Sequence, residues 1–250
     1  MSRYELSVED IPFVSLWWQR IYQDLIERFP EDGSIPNDFL VRLFADTGIC
    51  MADIYLYWRE LHQLDGPPNV KEPYLPRVYY QPTKYDPTTV QHLFTLQRFT
   101  EVTGVKIEDL TNVYEWGAGF GSLARLIMDK SYAAYTIIDL PLLIAVQQVY
   151  LKLCGHVEHD VRWLSPSEAC LLDSDLLYPD LFVAMWSLEE STRYAQDFVM
   201  EREFFGAAHV LLAFQSDKDI FSDSQGFKDR LPSDLTIVSA EAEASHYAFR

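Results

Sequence analysis

Two neighbouring stretches, VYEWGAGFGSLARL at residues 113–126 and YTIIDLPLL at residues 135–143, decide the fold of this chain. Each begins with apolar and β-branched residues that predict a buried strand, and each continues with a helical pattern. Three glycines in a GxGxG arrangement separate the first strand from its helix. Glycine adopts left-handed backbone angles and lets a ligand approach the N–H groups at a helix start. The pattern therefore predicts a ligand-binding turn at the carboxyl end of a strand.

The alternation of strands and helices continues towards the carboxyl terminus and predicts an α/β fold. Further strands are predicted in HVEHDVRWL (156–164), DLFVAMWSL (180–188) and AHVLLAF (208–214), with helices after them, one opening at Ser165-Pro166 and another across 191–204. This order implies right-handed crossovers and a parallel sheet with helices on both faces. The last stretch, LTIVSAEAEASHYAFR (235–250), predicts an antiparallel pair of strands at one edge.

Residues 1–104 have a helical pattern without this alternation. A first helix is predicted from Asp10, with Pro12 in its first turn, to about residue 29, and a second helical region over about 37–64. A segment with six prolines follows (65–87), and Asp86-Pro87 opens a helix that ends near Gly104. We therefore divide the chain into a helical N-terminal region (1–104), which covers the substrate or forms an oligomer interface, and a ligand-binding domain (105–250).

The composition limits the classes of partner. A formal net charge of −18 disfavours a phosphate backbone, so nucleic acid is not expected as a partner. No stretch approaches the roughly 18 apolar residues of a membrane span, and the N-terminus lacks the pattern of a signal peptide. The three cysteines, Cys50, Cys154 and Cys170, form no CxxC pair. Such a sparse set favours the reduced cytoplasm.

Two acidic residues next to the glycine turn indicate what it binds. Glu115 lies two residues before Gly117, where a carboxylate would repel a pyrophosphate and would suit an ammonium group. Asp139 ends the second strand, at the spacing of a carboxylate that bonds ribose hydroxyls. Ser122 replaces the third glycine of the dinucleotide pattern GxGxxG, which disfavours a nicotinamide-dependent oxidoreductase. A ribose and a cation together favour S-adenosylmethionine as the cofactor.

YEWGAGFGSLARL, YTIIDLPLLIAVQQVYL and DLFVAMWSLEE together resemble a bacterial family of sugar O-methyltransferases, within the class I S-adenosylmethionine-dependent methyltransferases. The resemblance covers about residues 75–215. It implies a Rossmann-like, seven-stranded sheet that is mostly parallel with an antiparallel last strand, and transfer of a methyl group to a sugar hydroxyl. Glu189 stands where the family has a serine, and Glu190 matches the acid of the family. This departure leaves the substrate chemistry open.

The resemblance also implies residue roles, by position in the motifs. The methionine portion of the cofactor would contact Glu115 and the turn residues Gly117, Ala118, Gly119 and Gly121. The ribose would contact Asp139 and Leu140, the adenine edge would face Trp163, Leu164 and Ser165, and the methyl group would lie above Trp186, Ser187 and Glu190. Some sugar O-methyltransferases use magnesium, so the resemblance leaves that requirement open, although no metal ligands are indicated.

A sugar hydroxyl has a high pKa, so a general base assists as its proton leaves. Glu190 is the first candidate, with a charged first helix turn as the alternative explanation for the Glu189-Glu190 pair. His92 is a second candidate, ahead of His209 and His246. His156, Glu158 and Asp160 share one face of the predicted third strand, which would suit a metal, but no zinc motif accompanies them.

The N-terminal region is rich in aromatic residues, among them Trp17, Trp18 and the loop RVYYQPTKYDP (77–87). Aromatic faces pack against sugar C–H groups, so this loop could equally cover a substrate or pack structurally, whereas for Trp17 and Trp18 packing or a dimer interface is favoured. Besides sugar O-methylation, the residues leave two hypotheses open: methylation of a non-sugar small molecule, and a non-catalytic partner subunit that retains the nucleotide pocket.

Overall fold

In a computed structural model that describes residues 4–28, 87–156, 161–172, 178–215, 226–239 and 245–250, seven strands form one sheet in the order β3-β2-β1-β4-β5-β7-β6. Strands β1 to β5 pair in parallel, and β7 is antiparallel to both β5 and β6. The strands are β1 (Asn112–Trp116), β2 (Ala134–Ile138), β3 (Val161–Leu164), β4 (Leu181–Met185), β5 (His209–Gln215), β6 (Thr236–Ser239) and β7 (Ser245–Phe249). The predicted seven-stranded, mostly parallel sheet with an antiparallel last strand is confirmed.

The described helices lie on both faces of this sheet. Successive residues of a strand point to opposite faces, so they contribute to two separate cores. Val113 and Ile137 are buried under α1 to α4, whereas Tyr114 and Ile138 belong to the core under α5 to α9. The helices are α1 (Leu16–Arg28), α2 (Pro87–Thr103), α3 (Ser122–Met128), α4 (Pro141–Leu153), α5 (Pro166–Cys170), α6 (Ser187–Glu190), α7 (Arg193–Glu201), α8 (Glu203–Gly206) and α9 (Phe227–Arg230).

The N-terminal helix is interrupted, contrary to the continuous helix predicted from Asp10. Ile11–Phe13 forms a single 3₁₀ turn, and Val14 is extended with φ −105° and ψ 117°. The hydroxyl of Ser15 then accepts a hydrogen bond from the N–H of Trp18 at 3.4 Å, so the chain begins a new helix there. Phe13, before the break, is buried in the core under α5 to α9, and Trp18, after it, packs against the core under α1 to α4.

Other predicted boundaries of strands and helices also differ from those in the structure. The strand predicted over 180–188 ends at Met185, because Trp186 is left-handed (φ 61°) and Ser187 starts a helix. The helix predicted across 191–204 begins only at Arg193, where the Thr192 side chain accepts from the N–H of Ala195. His156 follows α4 outside any strand, and residues 157–160 lie outside the described part of the chain.

The helix predicted after Asp86-Pro87 is confirmed as Pro87–Thr103, and Gly104 follows it with φ +76°. The predictions for residues 37–64 and 65–86 concern positions outside the described residues. Within the ranges that the structure covers, no helix is long and apolar enough to cross a membrane. The division at residue 104 stays a prediction.

Candidate functional site

A cavity of about 250 Å³ lies at the carboxyl ends of β1, β2 and β4. The glycine turn, the start of α6 and the N-terminal segment before and within α1 surround it. Open parallel sheets bind their ligands at this edge. Ten of the residues predicted to form the site line the cavity: His92, Glu115, Gly117, Ala118, Gly119, Asp139, Leu140, Trp186, Ser187 and Glu190.

The glycine turn is closely packed against α6 at its first residue. Gly117 has φ +72°, and a Cβ atom there would lie 2.3 Å from Cβ of Ser187. Its N–H donates to the carbonyl of Ile138 at 2.9 Å, which joins the turn to β2. Gly121 has φ +95° and opens α3, but it is not among the residues that line the cavity. Glycine is therefore required at the first position by the Ser187 side chain as well as by the backbone conformation, and at the third position by the backbone conformation.

Glu115 is almost fully buried at the end of β1. Its Oε2 accepts a hydrogen bond from the hydroxyl of Tyr135 at 2.7 Å. Burial raises the pKa of Glu115 to about 8; the Tyr135 hydrogen bond opposes this rise, and the nearby charge of Asp139 adds to it. A buried carboxyl group of this kind favours a cation beside it. Glu115 can therefore bind an ammonium group that enters the cavity.

Asp139 lies directly after β2 and receives several hydrogen bonds. Oδ1 accepts from the N–H of Leu140 at 2.7 Å, and Oδ2 accepts from Nε2 of Gln147 at 2.7 Å. Burial raises the pKa of Asp139 to about 7, against these two bonds and those from the N–H groups of Ala118 and Gly119. Sequence reasoning missed Gln147, whose only signal was an amide within an apolar helix.

A closed set of hydrogen bonds joins α6 to the end of β1. The Ser187 hydroxyl donates to the carbonyl of Trp116, and the Trp116 indole N–H donates to Oγ of Ser191 at 3.0 Å. The Ser191 hydroxyl in turn donates to the carbonyl of Ser187 at 2.7 Å. Because Glu190 lies between these serines, its backbone is held in a defined position relative to the glycine turn.

Glu190 contacts the N-terminal segment across the cavity. Its Oε2 accepts a hydrogen bond from Nε1 of Trp18 at 2.8 Å. Burial raises the pKa of Glu190 to about 7, the Trp18 hydrogen bond opposes this, and the charge of Glu189 adds to it. A carboxyl group with such a pKa can exchange a proton near neutral pH.

The N-terminal segment supplies cavity residues that the sequence did not reveal. Phe13, Val14 and Ser15 line the cavity together with Trp18, for which a packing role was favoured. Trp17 is 40% exposed, so the two adjacent tryptophans have different environments. The apolar pattern of the segment matches an ordinary amphipathic helix, and the sequence carries no signal that distinguishes Trp18.

His92 lines the cavity from α2, but its protonation properties differ from those of a general base. Burial lowers its pKa to about 3, and the charge of Arg125 contributes to this. Its Nδ1 has no hydrogen-bond partner within the described residues. A neutral imidazole with so low a pKa accepts a proton poorly at neutral pH, so the structure favours Glu190 over His92. His209 and His246 are absent from the cavity wall.

The three residues predicted to face adenine lie at the end of β3 and directly after it. The Leu164 carbonyl accepts from the N–H of Asp139 at 3.0 Å, and Ser165 forms the capping box of α5 with Glu168. Trp163 lies on β3 with a buried indole nitrogen that has no partner among the described residues. None of the three lines the cavity, whereas Pro166 does. Their role towards adenine stays a prediction.

The metal hypothesis for residues 156–160 falls largely outside the described residues, which include only His156. Its Nε2 lies 3.1 Å from Oδ1 of Asp129. Among the residues that the structure covers, no three His, Cys, Asp or Glu side chains are grouped so that they could hold a metal ion.

No protein-family model matches the sequence, and no curated protein sequence matches it. Among solved structures, the N-methyltransferase NodS from Bradyrhizobium japonicum WM9 is similar, with 17% identity and a TM-score of 0.45 over 64% of this chain and 92% of that chain. The methyltransferase PaMTH1 from Podospora anserina, with S-adenosylhomocysteine bound, is similar with 10% identity and a TM-score of 0.45, over 84% of this chain and 92% of that chain.

A third similar structure is magnesium protoporphyrin IX methyltransferase from Synechocystis PCC 6803 with S-adenosylmethionine bound. It has 14% identity and a TM-score of 0.41, over 86% of this chain and 97% of that chain. Similarity at this level concerns the general fold and assigns neither an acceptor nor an activity to this chain.

Proposed function

We propose that this protein is an S-adenosylmethionine-dependent methyltransferase that methylates a hydroxyl group of a sugar. One observation carries the proposal. Three carboxyl groups from different elements, Glu115 of β1, Asp139 after β2 and Glu190 of α6, line one cavity beside the glycine turn. These three acids suit three different groups. Glu115 suits the ammonium group of the cofactor, Asp139 suits its ribose hydroxyls, and Glu190 suits the hydroxyl of the methyl acceptor, whose proton must be removed.

The residues present fit the cofactor by their chemistry. Glu115 is a buried acid that gains from a cation beside it, as the amino group of the methionine portion would provide. Asp139 is a buried acid with oxygens suited to vicinal hydroxyls. When bound, S-adenosylmethionine supplies a methyl group that its sulfonium already activates. The task left to the protein is to orient an acceptor and to remove its proton.

Glu190 is the residue that we propose for proton removal. It lines the same cavity and is held in place through α6, and its pKa of about 7 suits a general base near neutral pH. The Trp18 indole donates to one of its oxygens at 2.8 Å. Trp18 thereby favours the ionised form of Glu190, which is the form that accepts a proton.

The sugar as acceptor rests on the resemblance of three sequence stretches, and the cavity wall is compatible with it. The aromatic side chains of Phe13, Trp18, Trp116 and Trp186 line the cavity. Such rings pack against sugar C–H groups, but they suit a flat apolar acceptor equally well. A non-sugar small molecule is therefore the second candidate for the acceptor.

The proposal also places the protein in the reduced cytoplasm, on the basis of its three cysteines without a CxxC pair.

Calorimetric titration with S-adenosylhomocysteine, with NAD as the control, tests the cofactor assignment. We expect micromolar binding of the first and none of the second. Binding of NAD alone would overturn the proposal. Binding of neither would mean that the glycine turn is decayed or misread, and the hypothesis of a non-catalytic partner subunit would then come first. Sugar acceptors and flat aromatic alcohols, each screened with and without magnesium, then decide between the two acceptor classes. Methylation of the aromatic alcohols alone would contradict the sugar.

A further inference from the structure

One fully buried amide side chain joins the glycine turn to Asp139. Gln147 lies on α4, and its Nε2 donates to the carbonyl of Gly119 at 2.9 Å and to Oδ2 of Asp139 at 2.7 Å. A carbonyl and an ionised carboxylate only accept hydrogen bonds. The amino group of the amide must therefore point to both, and this determines the orientation of the side chain.

Packing alone does not account for a glutamine at this position. Its neighbours on the buried side of α4 are apolar, among them Leu143, Val146 and Leu151. Its Oε1 is buried and has no partner within the residues that the structure describes. A buried acceptor without a hydrogen bond is destabilising, and a methionine of similar length would avoid this cost. The contribution of Gln147 therefore comes from the two bonds that Nε2 donates.

The Gln147 side chain also lies beside the third glycine of the turn. A Cβ atom placed on Gly121 would lie 3.7 Å from Cγ of Gln147. The side chain thus lies along the turn from Gly119 to Gly121 and reaches Asp139 at its end. Because Leu140 N–H binds the other oxygen of Asp139, the carboxylate is held at both oxygens.

We infer that Gln147 is a positioning residue for Asp139: it orients the carboxylate and holds it in register with the glycine turn. Gln147 is not among the residues that line the cavity, so it acts through Asp139 and Gly119. The inference rests on the proposed role of Asp139 as the acid that binds the cofactor ribose.

The inference predicts a change in the titration of Asp139. Donation by Gln147 lowers the pKa of Asp139 against the effect of burial. Among the described residues, the titratable groups near enough for the charge of Asp139 to raise their pKa values are Glu115 of β1 and Tyr22 of α1. Both remain when Gln147 is replaced. Loss of the donated bond therefore raises the pKa of Asp139, and the carboxyl group is more protonated at pH 7.

The experiment compares Gln147→Met with Gln148→Met, its matched control. Gln148 is adjacent on the same helix and exposed, so its replacement changes the same atoms outside the site. The first measurement is a carboxyl ¹³C NMR titration of the ligand-free protein, in which the Asp139 signal is identified by its absence in Asp139→Asn. The second is the dissociation constant for S-adenosylhomocysteine between pH 6 and pH 9.

We expect the Asp139 titration to move to higher pH in Gln147→Met and to stay in place in Gln148→Met. S-adenosylhomocysteine should bind Gln147→Met roughly tenfold more weakly at pH 7, with a smaller difference at pH 9, where the carboxylate is ionised in both proteins. Adding Gln147→Met to Asp139→Asn should change the affinity less than twofold, because the target of the donated bond is already altered.

An unmoved Asp139 titration, or equal losses of affinity in the presence and absence of the Asp139 carboxylate, would overturn the inference. If wild type fails to bind S-adenosylhomocysteine, the proposed cofactor is wrong, while the titration of the ligand-free protein still decides the role of Gln147. If Gln147→Met does not fold, Gln147→Leu replaces it. Leucine likewise donates no hydrogen bond to Asp139 and should also move the titration upwards.

Discussion

Replacing Gly117 with alanine places a methyl group where Ser187 already lies. The new Cβ would be 2.3 Å from Cβ and 2.8 Å from Oγ of Ser187. Ser187 cannot move freely, because its hydroxyl donates to Trp116 and its carbonyl accepts from Ser191. The substitution therefore strains the joint between the glycine turn and α6.

Gly119→Ala provides the matched control. Gly119 also has positive φ, +58°, but no atom lies within 4 Å of its Cβ position. A left-handed backbone costs a non-glycine residue about 1–2 kcal/mol, and this is the whole loss expected for Gly119→Ala. Gly117→Ala adds an overpacking cost of about 1–3 kcal/mol. We expect it to lower the free energy of unfolding by roughly 2–5 kcal/mol.

Urea unfolding, followed by tryptophan fluorescence, measures both losses under the same conditions. Adding Ser187→Gly to Gly117→Ala should recover part of the loss, because the obstructing atoms are then absent, and a coupling of at least about 1 kcal/mol is expected between the two positions. Equal losses in Gly117→Ala and Gly119→Ala, or an additive double variant, would refute the close contact between the turn and α6.

Four further substitutions test the carboxyl groups of the cavity. Asp139→Ala should weaken the binding of S-adenosylhomocysteine by about 1–3 kcal/mol; unchanged affinity by calorimetry would show that Asp139 does not bind the ribose. Glu190→Gln should slow turnover by roughly 10²-fold or more with S-adenosylhomocysteine affinity unchanged; an unaltered rate on an accepted substrate would remove Glu190 as the base. Trp18→Phe removes the N–H donated to Glu190 and so raises the pKa of Glu190 above about 7. The acid limb of the pH–rate profile should therefore move to higher pH. An acid limb that stays in place would contradict the role of Glu190 as the base. The pKa of Glu115 is raised from 4.5 to about 8 in the folded protein, so its contribution to stability is present below pH 4.5 and is lost as pH rises through 8. In thermal unfolding experiments, the ligand-free wild type should therefore lose more stability over this pH range than Glu115→Gln. Parallel stability profiles of the two proteins would contradict the raised pKa of Glu115.

The sequence by itself was sufficient for the central part of the fold. Strands β1 and β2, the glycine turn and Asp139 were placed correctly because apolar periodicity, glycine and the acidic strand ends are local signals. The glycine turn follows β1 and Asp139 follows β2. Because parallel strands have their carboxyl ends at the same edge of the sheet, these two features lie close together. The antiparallel pair at the carboxyl terminus was also predictable, because LTIVS and SHYAFR are two strand-like stretches without a helical pattern between them.

Local signals failed where the backbone changes conformation over a single residue. Trp186 ends β4 with φ 61°, and Val14 interrupts the N-terminal helix. Tryptophan rarely adopts a left-handed backbone, so propensity predicts a longer strand at Trp186. Val14 is a single extended residue within an apolar helical pattern, so the periodicity predicts a continuous helix there. The hydrogen bonds of Ser187 with β1, and the cap provided by Ser15, outweigh that preference.

Only the tertiary structure decided which polar groups act together in the cavity. Trp18 and Glu190 are 172 positions apart in the chain, and Gln147 and Gly119 are 28 apart. Trp17 and Trp18 are adjacent residues of the same type, and so are Gln147 and Gln148. The sequence does not tell which member of each pair forms the hydrogen bonds of the site. The direction in which each side chain points, and hence its partner, follows from how the helices pack on the sheet. A sequence therefore indicates where this site lies, and the packing determines which residues complete it.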